Sequence, residues 1–333
     1  MSIEVRPVED DDAWDGYLAH ARTATPFHRA AALDVLASAA DARLHRLAGF
    51  KGQEPVGVFP VFEVDRGPVT GAFSPPPDLK VPYLGPSLVV RGDPPKRRRL
   101  DRQHHAFIEA ALDHLTERVD PGLVQVRTPP GYDDVRAFSW RSHEVVPRYT
   151  YVVDLERGTD DLLASFSSDA RRNVTDEYDA SYSIRPGTPE DIRRIVAQTA
   201  ARHAAQDEPF PVDADFVVDL HEATDEGVVR PLVCRVDGEF AGGTVCLEGE
   251  TTAIRWLGSA TPSVDLPAND LLDWTYCRAA AGRGVTAFDL AGANTPRIAE
   301  YKAKFAPDLV PYYRARNCSR TMDVAVSLYD KIR

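Results

Sequence analysis

PANDLLDWTYCRAAAGRGVTAFDLAGANTPRIAEYKAKFAP, residues 267–307, decides how this chain is read. Its first part places Leu271, Leu272, Thr275, Tyr276 and Ala279 on one helical face, with Asn269 as N-cap and Gly282 and Gly284 as the stop. Residues 285–290 then form a short buried-strand pattern carrying one acid, Asp289. The chain breaks at Gly292 and resumes as a helix that presents Lys302 and Lys304. An acid at the carboxyl end of a core strand, with two lysines a helix length downstream, predicts a site for an anionic ligand. Strand ends at a break in an α/β sheet are where such ligands collect.

Working outward, LVCRV, a turn at Asp237-Gly238-Glu239 and FAGGTVCLE read as a hairpin, and ETTAIRWLGS adds a third strand before the helix. The first half follows the same plan. LHRLAGF, a turn over 51–54 and VGVFPVFEV form a hairpin. The proline-rich SPPPDLKVPYLGP leads to a strand over 87–90. An amphipathic helix over 97–118 buries Phe107, Ile108, Ala111, Leu112 and Leu115, and Asp120-Pro121-Gly122 turns into LVQVRT. A strand over 3–8, an acidic helix start at Asp10 and a helix over 30–40 precede all this. Between the halves, helices start at Ser168 and at Thr188, which forms a capping box with Asp191. Hairpin, strand, helix, strand therefore occurs twice. The fold class is α/β with mixed sheets of the α+β kind, in tandem units over 1–150 and 151–333, each a mixed sheet flanked by helices.

The bulk numbers agree. A chain of 333 residues suits two domains of roughly 150, and 43% apolar content supports a sizeable core. No apolar run of about 18 residues predicts a membrane span, and the acidic N-terminal stretch does not read as a secretory signal, so a cytoplasmic protein is expected. Cys234, Cys246, Cys277 and Cys318 lack ligand spacing, and His104-His105 read as surface or core residues, so no metal is expected. The net charge of −12 opposes generic nucleic-acid binding. Residues 297–333 run against it, with eight Lys/Arg to four acids, which permits a local contact with RNA.

A sheet built as hairpin, strand, helix, strand resembles the GNAT acyltransferase fold, and two such units resemble its FemAB branch, including FemX-type peptidyltransferases and the BioF2-like acetyltransferase domain. ATPFHRAAALDVL (24–36) is similar to that branch's helix entry and GQEPVGVFPVF (52–62) to its hairpin. DARRNV (169–174) resembles its arginine-bearing helix start, and YKAKFAP (301–307) its closing Phe-Lys-x-x-Phe-Gly signature, with Ala306-Pro307 in place of the glycine. The glycine-rich loop of coenzyme A users reads GSATPSVDLPAND here, with one glycine, although N–H groups at the start of the following helix remain able to hold a phosphate.

The resemblance implies an N-acyltransferase moving an acyl or aminoacyl group from an activated donor, acyl-CoA or aminoacyl-tRNA, to a small-molecule or peptide amine. The alternative is a non-catalytic scaffold that binds an anionic ligand or a partner. Lys302 would stabilise developing negative charge or a ligand phosphate, and Asp289 would order the acceptor amine or hold Lys302. Arg171 and Arg172, set against the dipole of their helix start, would bind an anionic part of a ligand; Lys304, Tyr301, Phe305 and Asn269 would complete the substrate site. Outside the family pattern both lysines read as solvated charges, and Asp289 as the cap of the next turn. His203, Glu208 and His221 are candidate general bases by position. Lys96 and the arginines at 97–99 read as a solvated face, and Trp256, Trp274, Tyr276, Tyr312 and Tyr313 as mostly core.

Overall fold

The computed structural model describes residues 2–67, 69–93, 95–261 and 266–318. The chain forms two compact units, one of Met1–Arg148 with the segment from Pro311, the other Tyr149–Val310. The sequence reading had placed the C-terminal segment in the second unit. Its strand, Asp308–Cys318, pairs antiparallel with residues 123–127 of the first unit, a choice that strand patterning alone does not make.

In the first unit, β1 (Glu4–Pro7) leads through α1 (Asp11–Leu18) and α2 (Ala30–Ala39) to the hairpin of β2 (Arg43–Lys51) and β3 (Glu54–Arg66). β4 (Val69–Ser74), the two-residue β5 (Ser87–Leu88), α3 (Arg97–Arg118), β6 (Leu123–Arg127) and α4 (Arg136–Trp140) follow. The sheet order is β1, β2, β3, β4, β6 and then the last strand. β4 is the third strand of the repeat; the expected strand over 87–90 is only β5, a short partner of β3. The five apolar positions expected on α3 are all buried. Phe107 fits a slot made by Gly49 and Gly57, which face each other across the hairpin; a Cβ on either would lie 2.3–2.4 Å from its ring.

The second unit begins within β7 (Glu144–Asp154), followed by α5 (Thr159–Ser165), α6 (Ser168–Thr175) and β8 (Tyr182–Pro186). Helices α7 (Pro189–Ala204) and α8 (Ala214–Ala223) precede the hairpin of β9 (Val229–Val236) and β10 (Glu239–Glu248). Then come β11 (Thr252–Ala260), α9 (Ala268–Gly282), β12 (Ala287–Asp289) and α10 (Pro296–Ala303). The order is β7, β12, β11, β10, β9, β8. The duplicated plan is thus real in topology: β2-β3-β4-α3-β6 and β9-β10-β11-α9-β12 each end in a parallel pair joined across a helix. Each pair is flanked by an antiparallel strand, the last strand in one unit and β7 in the other.

Two caps shift by a residue or two. Ser167, not Ser168, caps α6, its Oγ accepting from the Ala170 N–H, while its own N–H donates to the Lys304 carbonyl. Pro267 rather than Asn269 flanks α9, because the helix already starts at Ala268. The capping box of Thr188 and Asp191 forms in full. α9 buries a wider face than its periodicity suggested, since it packs against both the sheet and α6. Ala279 is exposed, and Asp270, Asp273, Trp274 and Cys277 are buried instead.

β10 and β11 approach closely at Gly258, whose φ is +130° and whose added Cβ would meet the Gly243 carbonyl oxygen at 2.3 Å. That oxygen and the Thr244 Cα, 2.6 Å from the same Cβ, belong to backbone and cannot swing aside. Gly258→Ala should destabilise the protein by about 3 kcal/mol or more in urea unfolding, combining backbone strain with overpacking. Gly282→Ala, whose Cβ meets nothing within 4 Å, should be neutral or slightly stabilising. Equal effects of the two would refute the close approach.

Candidate functional site

The parallel pair of the second unit opens into a fork. β11 and β12 pair over three residues, from Thr252↔Ala287 to Ile254↔Asp289. β11 then continues to Ala260 against β10, whereas Leu290 and Ala293 donate their N–H groups to the carbonyls of Tyr151 and Tyr149. The chain after β12 follows β7 and leaves β11. Among the described residues, no strand pairs with that edge of β11 from Arg255 onward, so its peptide groups border the fork.

The turn that leaves β12 is held from three sides. Asp289, 2% exposed, accepts from the Thr150 hydroxyl at 2.5 Å and from the Ala291 N–H at 2.7 Å. Thr150 in turn accepts from the Gly292 N–H at 2.9 Å. Ala291 (φ +55°) and Gly292 (φ +84°) are both left-handed, which aims their carbonyls at one point. Lys302 Nζ sits there, donating to Ala291 O at 2.5 Å and Gly292 O at 3.0 Å. Burial and then the nearby Arg255 charge lower its pKa from 10.5 to about 8, against the opposing pull of Asp273 and Asp289. An ammonium carries three N–H donors, so two bonds to carbonyls leave one for a ligand.

Helical spacing sends the neighbouring side chains elsewhere. Tyr301, Lys304 and Phe305 lie at i, i+3 and i+4 and share a face. That face turns toward α9, where Asp270 is 3% exposed. Lys304 Nζ donates to both Asp270 oxygens at 2.7 Å, Tyr301 OH to Oδ1 at 2.9 Å, and Asn173 Nδ2 to Oδ2 at 2.7 Å. Lys304 also lies 4.1 Å from the Tyr301 ring centroid, and Phe305 packs in the core with Phe166 and Trp274. One turn along α9, Asp273 accepts from Arg255 Nε at 2.6 Å. Burial pushes the Asp273 carboxyl up while Arg255 draws it down, and the net shift is upward.

The residues singled out in the sequence therefore separate. Lys302 and Asp289 meet at the strand-end turn. Lys304, Tyr301 and Phe305 meet at Asp270 and the core. Arg171 and Arg172 are exposed on α6, Arg171 donating to the Ala164 carbonyl at 3.1 Å. Asn269 stands in the first turn of α9, its Oδ1 buried without a hydrogen-bond partner among the described residues. His203 pairs with Glu208 at 3.2 Å and His221 Nδ1 lies 3.2 Å from the Val229 carbonyl. Residues 262–265, within the stretch at the glycine-rich loop position, and Arg320, Asp323, Asp330, Lys331 and Arg333 of the basic window lie outside the described residues. The sequence reading missed Asp270, Asp273, Asn173, Arg255 and Thr150. Two acids three residues apart on an apolar helix, Asp270-Leu-Leu-Asp273, were the available signal.

Residues 167–303, all within the second unit, match the family described as Acetyltransferase (GNAT) domain. Among solved structures, the chain is similar to FemX, with 11% identity, 93% of this chain and 96% of that chain covered, and a TM-score of 0.71. It is also similar to L-PGS from Bacillus licheniformis (14% identity, 97% and 96% covered, TM-score 0.56). A conserved protein of unknown function from Bacteroides thetaiotaomicron matches at 12% identity, with 94% and 99% covered and a TM-score of 0.57. At these identities the likeness is one of fold. No match is found among curated proteins. The expected GNAT and FemX-like architecture is borne out as a fold, and the stretch of the second unit from 167 to 303 is what matches the GNAT domain family.

Asp270 is the partner that keeps a nearly buried ammonium inside. Asp270→Ala should cost about 3–5 kcal/mol in urea unfolding, because it strands Lys304, and adding Lys304→Met should recover part of that loss. A single-variant cost below 1 kcal/mol would contradict the network. Lys302 gives a pH signature. Its pKa is about 8 folded against an ordinary 10.5, so between these values the unfolded chain binds the extra proton. Wild type should therefore gain stability relative to Lys302→Met as pH rises from 8 to 10.5, with a flat difference below 8. A difference that falls over that window would exclude the lowered pKa.

Proposed function

We propose that the second unit transfers an acyl or aminoacyl group from an activated donor, an acyl-CoA or an aminoacyl-tRNA, to the amine of a small molecule or peptide. The observation that carries this reading is the fork between β11 and β12 inside the segment that matches the GNAT family, with a half-buried lysine at its base. The donor's carbonyl would lie along the free edge of β11. Attack by the amine places negative charge on that carbonyl oxygen, and the remaining Lys302 N–H would stabilise it; such preorganised donors commonly supply the largest share of catalysis in acyl transfer. Asp289 acts through the turn it shapes and so positions Lys302. Arg171 and Arg172, exposed on α6, which packs against α9, would take an anionic portion of a ligand. The first turn of α9 would face a donor phosphate. Transfer from an activated ester needs positioning above all, so the scheme assigns no separate general base.

Lys304 has a different part. Its ion pair with Asp270 joins α9 to the chain after α10, which supports a role in holding the site's shape rather than in meeting the donor. That engagement of one lysine, together with the two carbonyls on the other, also favours a second reading, a scaffold that binds an anionic ligand without turnover.

Thermal-shift screening against acetyl-CoA, longer acyl-CoAs and aminoacyl-tRNA identifies the donor, since a ligand of the native state raises the Tm. With that donor and an amine acceptor, Lys302→Met should keep the fold and lower kcat by about 100-fold or more, the scale seen for loss of one oxyanion donor. Unchanged turnover removes Lys302 from the chemistry. A Tm shift with no product for any amine tested would favour the scaffold. Binding of tRNA that weakens steeply between 50 and 200 mM salt, roughly as phosphate contacts demand, would single out the aminoacyl donor.

A further inference from the structure

We propose that the first unit holds a divalent transition-metal ion, of the zinc class, on His104 Nδ1, His105 Nε2 and Asp134 Oδ2. The three donor atoms lie within 4.8 Å of one another. His105 Nε2 is 2.9 Å from Asp134 Oδ2 and His104 Nδ1 is 3.4 Å from the same oxygen. Two ligands bound about 2.1 Å from one ion are separated by roughly 2.9–3.5 Å at the angles of octahedral or tetrahedral sites. Both separations to Asp134 fit that range.

Adjacent residues of a helix point about 100° apart, so two successive histidines meet at one point only if they use different ring atoms. They do so here. His104, 3% exposed, presents Nδ1, close to its Cβ; His105 reaches round with the distal Nε2. The other nitrogen of His104 lies 2.5 Å from the Tyr132 hydroxyl. An Nε2–H donated to that hydroxyl leaves the Nδ1 lone pair free, the outer hydrogen bond typical of a ligating imidazole.

Lone-pair accounting points the same way. Arg136 donates Nη2–H to Asp134 Oδ2 at 2.8 Å and Nε–H to Oδ1 at 2.8 Å, which fixes the carboxylate plane. Without a cation, Oδ2 would meet Arg136, His105 and, at 3.4 Å, the His104 ring with two lone pairs. With an ion, Oδ2 serves Arg136 and the metal, and each imidazole gives its own lone pair to the metal. A cavity of about 310 Å³, lined by His104, Tyr132 and Asp134 with Arg22, Arg97 and Asp101, adjoins the site. Three protein ligands with room beside them leave a coordination position for water or an anionic oxygen. The sequence alone favoured surface or core histidines here, because Asp134 is 29 residues from His105 and only the fold brings it back.

The test is calorimetric titration of EDTA-stripped full-length protein with Zn²⁺, alongside imidazole ¹⁵N spectra. One equivalent should bind, raise the Tm, and shift the His104 and His105 ring nitrogens together. His105→Ala should weaken binding at least 100-fold, and Tyr132→Phe about 10-fold, as for outer-shell partners elsewhere. Failure of wild type to take up an equivalent overturns the proposal. So does Zn²⁺ binding that His105→Ala leaves unchanged, which would place the ion elsewhere, for instance on a cysteine. If His105→Ala does not fold, the wild-type spectra decide: unmoved His104 and His105 resonances at one equivalent refute the site.

Discussion

The carboxylate of Asp270 is the constraint on which the second unit's site depends. A buried acid without partners would be costly, and this one accepts from a lysine and a tyrosine of one segment and an asparagine of another. Each donor fixes an element: Asn173 fixes α6, Tyr301 fixes α10, and Lys304 fixes the turn that follows it. The Ser167 N–H bond to the Lys304 carbonyl closes the loop between α6 and that turn. Once these are set, α10 can place Lys302 in only one direction, about a quarter-turn or so around the helix from Tyr301.

That direction leads to the strand-end turn, where the economy of the arrangement becomes clear. Two residues in left-handed conformations, Ala291 and Gly292, turn their carbonyls together, and Asp289 and Thr150 satisfy their N–H groups. Lys302 neutralises the carbonyl end of the same turn. A single short segment thereby ends β12, diverts the chain toward β7, exposes the edge of β11 and holds an ammonium of lowered pKa. The positive charges of Arg255 and Lys302 lie close enough to depress the latter, and Asp273 moderates both. Neighbouring charges held near balance, partly out of water, are what tuned reactive sites require.

Several elements were legible in the sequence because they rest on local rules. The Thr188 capping box, the hairpin turns and the 3.6-residue spacing of Phe107, Ile108, Ala111, Leu112 and Leu115 need no distant partner to be recognised. The hairpin, helix and closing strand of each repeat were visible for the same reason. β4 was not, because its six residues hold a glycine and two hydroxyls and its place is set by pairing with β3 and β6. Asn173 carries no local signal at all, and its function follows from lying opposite Asp270.

The motif 301–305 shows where the division falls. From the sequence alone, the motif comprises two lysines, a tyrosine and a phenylalanine near a strand-end acid, an arrangement that implies anion chemistry without saying which lysine performs it. Helix geometry then separates residues 302 and 304 by about 200°. Tertiary packing alone decides that one side holds a buried carboxylate and the other an open turn. The sequence by itself determined the duplicated α/β plan and the region of the site, since periodicity and turn chemistry act over a few residues. Only the tertiary structure decided that Lys304 is an ion-pair partner, that Lys302 stands at the fork, and that two histidines and a remote aspartate converge, because those depend on contacts between residues 10 to 34 apart along the chain.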